Sequence, residues 1–210
     1  MKKEVLVEKK NKKLKKTKKK EQEVVVDMSA EAKGKGPYLL TLYGKIEQDE
    51  CAEAVHSLYA QKLAVEAGLR SVEPLKFLIS TFGGDAVEMF SVYDMIRHVK
   101  KVYPVHTVGT GKIMSAGTLI LAAGTKGKRK IGANCRVMIH NVKGGPGPEC
   151  YDVLVHEIKE IEWFQEQYIK CLAKETHMTE DEIREIMDSR HNIYLDAKQA
   201  VEVGLADKII

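Results

Sequence analysis

The chain has 210 residues, 44% of them hydrophobic and 30% charged, with a net charge of +4, which is enough chain for one domain with a sizeable core. No apolar run is long enough to span a bilayer, and the lysine-rich start is not followed by the apolar stretch of a signal peptide. The four cysteines, Cys51, Cys135, Cys150 and Cys171, are widely spaced without a C-x-x-C pair, which points to free thiols in a reducing, cytoplasmic compartment rather than a disulfide scaffold.

The charge is unevenly placed. Residues 1–36 hold 13 lysines against 6 acidic residues, a net +7, which leaves −3 for the remainder of a chain that totals +4. Like charges resist compaction, so this segment reads as a flexible basic arm ahead of a folded body of residues 37–210. No aromatic residue interleaves the lysines, so the stacking signature of a nucleic-acid arm is missing.

In chain order, residues 38–43 have strand composition and stop at Gly44, and residues 49–67 carry apolar side chains broadly on one helical face. Residues 74–80 form a second strand, which ends in Thr81-Phe-Gly-Gly-Asp85 before a helix over 86–99. A third strand over 102–108 leads into Gly109-Thr-Gly-Lys-Ile-Met-Ser-Ala-Gly117 and a helix over 118–123. Residues 136–141 form a fourth strand, with His140 near its end. The order β-α-β-α-β-α-β predicts an α/β fold with parallel strands covered by helices. A glycine- and proline-rich loop follows over 142–148 and then a long helix over 150–176. Its apolar stripe, which includes Trp163, is broad enough to suggest burial, either against a partner subunit or within its own domain. Thr179-Glu-Asp-Glu182 is a capping box for a further helix through Met187. The polar loop 188–192 leads to a short helix over 196–203 that Gly204 can terminate, and residues 205–210 form a last short strand or tail.

Ser115 is the candidate nucleophile. At a strand-to-helix turn its small neighbours expose the hydroxyl, and the first helical N–H groups have no intrahelical partner and can hold an oxyanion. The plainer reading is that Ser115 only caps a buried helix. A hydroxyl nucleophile needs a base, and His140 is better placed than His98, His106, His156, His177 or His191. In parallel sheets the ligand crevice lies at the carboxyl ends of the strands. Gly83-Gly84, Ser115 and His140 all fall at predicted strand ends, which argues for one shared site. For the group that orients the His140 ring, the loop offers Asp188, Asn192 and Asp196. No His/Cys/Asp cluster shows metal-ligand spacing, and the glycines form neither a Walker A motif nor a dinucleotide fingerprint, so no metal or cofactor is expected.

Together, Phe77-Leu-Ile-Ser-Thr-Phe-Gly-Gly84, the Ser115 turn, Ala123-Gly-Thr-Lys-Gly-Lys-Arg129, Arg136-Val-Met-Ile-His140 and residues 197–207 resemble the ClpP family, the proteolytic subunit of ATP-dependent Clp proteases (peptidase S14). The resemblance runs from about Leu39 to the C-terminus. It implies a ClpP/crotonase-like fold with a handle region at about residues 141–176. It also implies two stacked heptameric rings around a chamber, an AAA+ unfoldase partner of the Clp type, and unfolded polypeptide substrates. Ser115 would be the nucleophile, His140 the general base, and the N–H groups of Gly84 and Ala116 the oxyanion hole. The chain departs from the family where Asn192 aligns with the usual triad Asp, in Lys112-Ile-Met114 beside the serine, and in its long basic N-terminal segment. Loss of a triad carboxylate can cost roughly 10⁴-fold in turnover, so a weakly active or non-catalytic ring subunit beside an active paralogue is the alternative. An acyl-CoA enzyme of the crotonase fold is disfavoured by the serine–histidine pair.

Overall fold

A computed structural model describes residues 38–144, 150–189 and 191–210. The basic segment 1–36 and most of the glycine–proline stretch of the expected handle, residues 145–149, lie outside the described residues.

Strands β1 (Leu39–Ile46), β2 (Leu75–Gly84), β3 (Val105–Met114), β4 (Lys130–Ile131) and β7 (Lys208–Ile209) line up in that order, all in parallel. Strand β5 (Arg136–Ile139) branches off the far end of β3 and is also parallel to it. Strand β6 (Ile193–Leu195) joins β5 antiparallel, the one reversed pairing among the described strands. The helices are α1 (Gln48–Glu66), α2 (Ala86–Val99), α3 (Ala116–Ala122), α4 (Tyr151–Glu175), α5 (Glu180–Asp188) and α6 (Ala197–Glu202). No helix among the described residues is long and apolar enough to cross a membrane.

Along β1 the residues alternate, with Leu40, Leu42 and Ile46 inward and Leu39, Thr41 and Tyr43 outward, the pattern of a strand covered on one face. Strands β2 and β3 extend that inner face with Leu75, Phe77, Ile79, Val105 and Ile113. All seven residues of α3 are buried against it. Burying Leu119, Ile120 and Leu121 stabilises by about 1.5–3 kcal/mol per side chain, so the element that begins beside Ser115 is firmly held.

Strand β3 runs six residues past its expected end at Val108. Its first half pairs with β2 and β4, and Lys112–Met114 then pairs with Arg136–Met138. The switch is made at a bulge: Ile79 pairs with Gly109 but Thr81 with Ile113, so β3 carries extra residues there. Bulges bend a strand and redirect its side chains. This one turns β3 toward β5 and delivers Ser115 beside the strand that carries His140.

Helix α4 divides in two. Its C-terminal half is buried through Tyr168, Ile169 and Leu172, whereas Tyr151, Ile158 and Trp163 are exposed along its N-terminal half. Near its end, Glu175 meets Tyr93 and Arg97 from α2. The fully buried Arg129 donates Nε and its backbone N–H to Asp207 Oδ2 at 3.0 and 2.8 Å, and Nη1 to the Glu175 carbonyl at 2.7 Å. That fork ties the loop before β4, the end of α4 and the C-terminal segment together.

Candidate active site

Ser115 stands between β3 and α3 at φ 53° and ψ −124°, the only non-glycine residue with positive φ among those described. Such a conformation costs about 1–3 kcal/mol, less than α3 gains by burial, so packing holds the turn. Ser115 occupies the N-cap position of α3, yet its side chain makes no capping bond. The Oγ instead lies 2.8 Å from His140 Nε2. The simple capping reading therefore fails, because the hydroxyl is engaged by an imidazole.

Strand β5 sets both halves of the pair. The Met138 carbonyl accepts the Ser115 N–H at 2.8 Å, and two residues on, His140 faces the hydroxyl. The Ser115 carbonyl is held as well: it accepts the Thr118 N–H at 3.0 Å and the Thr118 hydroxyl at 2.7 Å.

The glycines of β2 close in from the other side. A Cβ on Gly83 would stand 2.6 Å from Ser115 Cβ and 2.9 Å from the Met114 carbonyl, and φ at Gly83 is +89°. Glycine is required there on both counts. Gly117 meets the same demand under α3, where a Cβ would lie 2.3 Å from Thr81 Cγ2. The Gly83 N–H donates to Thr81 Oγ1 at 3.0 Å, and the Asp85 N–H donates to the Ile46 carbonyl at 2.9 Å. Gly84, Ala116, Ser115 and His140 line one cleft of about 750 Å³, with Met89, Met138, Ile161, Phe164 and Tyr168 as its apolar wall.

Burial lowers the His140 pKa below the usual histidine range, and the Lys143 charge lowers it further. The ring is thus neutral near pH 7 and able to accept a proton at Nε2. Its Nδ1 is buried and has no hydrogen-bond partner among the described residues. Asn192 is exposed just before β6. The β5–β6 ladder ends with Ile139 opposite Ile193, so one further step of the same register sets His140 across from Asn192. No hydrogen bond joins the Asn192 side chain to His140 Nδ1. Asp196 is occupied elsewhere, as its Oδ1 accepts the Gln199 N–H at 2.9 Å in the capping box of α6. Asp188 is an exposed residue at the end of α5.

Three neighbours of the pair escaped the sequence reading: Thr118, Lys143 and Tyr168. Tyr168 belongs by its spacing to the apolar stripe of the long helix, and a buried tyrosine hydroxyl usually finds a partner. That rule was the one available signal.

The fold and the site define an α/β protein with a serine–histidine pair at the carboxyl ends of adjacent parallel strands, facing two glycines of a third. Residues 39–210 match the Clp protease family, and the chain belongs to that family. It is 32% identical over 170 residues to ATP-dependent Clp protease proteolytic subunit 2 of Treponema denticola, covering 81% of this chain and 80% of that protein. The subunit 2 proteins of Treponema pallidum and a Synechococcus species are 31% and 28% identical, over 81% and 89% of this chain and 81% and 95% of their own.

Proposed function

We propose that this chain is a serine endopeptidase, the proteolytic subunit of a Clp-type protease, with Ser115 as nucleophile and His140 as general base. The 2.8 Å contact between an uncapped serine hydroxyl and a neutral histidine carries the reading. Ser115 Oγ attacks the peptide carbonyl carbon while His140 Nε2 takes the hydroxyl proton. The carbonyl oxygen gains the negative charge and is received by the N–H groups of Gly84 and Ala116. Collapse of this intermediate breaks the C–N bond, and His140 returns the proton to the leaving amine. Water then attacks the acyl-serine ester with His140 again as base, freeing the acid and regenerating Ser115. In this scheme Asn192 orients the His140 ring only once its amide reaches Nδ1, a hydrogen bond that is absent among the described residues, and it does so without the charge a carboxylate would supply.

Unfolded polypeptide is the substrate, cut inside a chamber of two stacked heptameric rings in the cytoplasm and supplied by a Clp-type AAA+ unfoldase. Support comes from the family match and from the apolar residues left exposed, namely Leu39 and Tyr43 on the open face of β1 and Ile158 and Trp163 on α4. Identical neighbours would cover them. The handle of about residues 141–176 would join the rings.

The His140 Nδ1, without a partner among the described residues, favours a second reading, a weakly active or non-catalytic ring subunit beside an active paralogue. Fluorophosphonate labelling with peptide mapping separates the two. Label on Ser115 that is absent from Ser115→Ala, with the same oligomer in both proteins, supports the peptidase. No label on the parent protein in any assembly state overturns it.

A further inference from the structure

Between α4 and the Ser115 turn runs a chain of hydroxyls that no step of the reaction uses. Tyr168 Oη lies 2.5 Å from Thr118 Oγ1 and 3.4 Å from the Ser115 carbonyl oxygen. Thr118 has a single O–H, and it is given to the Ser115 carbonyl at 2.7 Å. The Tyr168 hydroxyl faces both Thr118 Oγ1 and the Ser115 carbonyl, so the two hydroxyls converge on that carbonyl oxygen. Burial pushes the Tyr168 pKa up to about 12, against the opposing hydrogen bond with Thr118, so the phenol keeps its proton throughout the neutral range.

The target of this chain is the carbonyl of the one non-glycine residue with positive φ among those described. A residue in so sparsely populated a conformation persists only where its surroundings over-determine it. Buried hydrogen bonds that share one network strengthen one another. Tyr168 also sits in the part of α4 that is fastened by Ile169 and Leu172, so its hydroxyl has a rigid base.

We propose that Tyr168 is a positioning residue for the nucleophile: through the Thr118 hydroxyl it anchors the Ser115 carbonyl to α4 and holds Oγ in line with His140. The proposal rests on Ser115 as nucleophile and adds to it a dependence on two hydroxyls, one of them 53 positions along the chain.

The test compares the parent protein with Tyr168→Phe, Thr118→Val, the double variant and Thr118→Ser. The readouts are the rate of fluorophosphonate acylation at Ser115, and kcat and KM on a fluorogenic peptide. Phe keeps the ring in its packing and removes only the hydroxyl. Tyr168→Phe and Thr118→Val are each expected to lower acylation and kcat about tenfold, the worth of a buried hydrogen bond at the upper end of its usual range, with KM within about twofold. The double variant should be no worse than either single one, because both break the same chain. Thr118→Ser should keep the parent rate. If Tyr168→Phe does not fold, the Thr118→Val and Thr118→Ser pair decides alone. Acylation of either single variant at the parent rate, or losses that multiply in the double variant, overturns the inference and leaves the serine peptidase standing. A parent protein that takes no label on Ser115 overturns both.

Discussion

Replacing Asn192 by aspartate should raise turnover. The His140 Nδ1 is buried without a partner among the described residues, and in the transition state that ring carries a full positive charge near Lys143. The continued β5–β6 register puts residue 192 across from His140, where directly opposed side chains start about 5 Å apart. A carboxylate about 5 Å from an imidazolium, at an effective dielectric near 20, contributes about 3 kcal/mol, or ~10²-fold in rate. This is well below the ~10⁴-fold that loss of a built-in triad carboxylate can cost, because that loss also removes the hydrogen bond that fixes the ring's tautomer, whereas the figure here counts charge alone. The same carboxylate favours the imidazolium, so the His140 pKa should rise and the acid limb of the rate profile should move to higher pH. Peptide hydrolysis and fluorophosphonate acylation across the neutral range measure both effects, with Asn192→Ala as control. Asn192→Ala should lose only a few-fold, since the amide makes no bond to the ring here. An Asn192→Asp rate at or below the parent's, with an unmoved acid limb, would refute the reasoning.

Lys143→Gln removes a charge that lowers the His140 pKa, so the acid limb should again move to higher pH, with little change in the plateau; pH–rate profiles of kcat/KM check the sign. Gly83→Ala forces a Cβ to within 2.6 Å of the Ser115 Cβ at φ +89°. Displacement of the nucleophile by about 1 Å can cost ~10²-fold, so acylation should fall by about that factor while the oligomeric state, read by light scattering, stays that of the parent. Arg129→Met leaves the Asp207 carboxylate and the Glu175 carbonyl without their buried donor, and should cost about 3–5 kcal/mol of stability, read as an earlier denaturant midpoint.

Much of the local structure was legible in the sequence. The capping box at Thr179–Glu182 formed as read, with Thr179 accepting the Glu182 N–H and Glu182 reaching back to Thr179. Gly204 follows α6 at φ +79° as a terminator should. The helices came out within a residue or two of their expected limits, because caps and 3.6-residue periodicity are settled by neighbours in the chain. The strand ends did not: β1, β2 and β3 all run past the points where turn residues seemed to stop them. Glycines that suit a turn also suit a bulge, and only a partner strand distinguishes the two. For β3 that partner is β5, more than twenty residues further along.

The site divides in the same way. That Ser115, His140 and the glycines 83 and 84 share one crevice followed from the strand order, since a parallel sheet gathers its strand ends on one side. That Ser115 bonds His140 rather than capping its own helix was a tertiary outcome. So were the His140 Nδ1 left without a partner among the described residues and the Tyr168–Thr118–Ser115 contacts. Each depends on hydrogen-bond directions between elements 25 to 53 positions apart, and the residues between them carry no local signal of it. Residue types and their order along the chain determined which groups reach the crevice; packing of distant elements decided which of them touch.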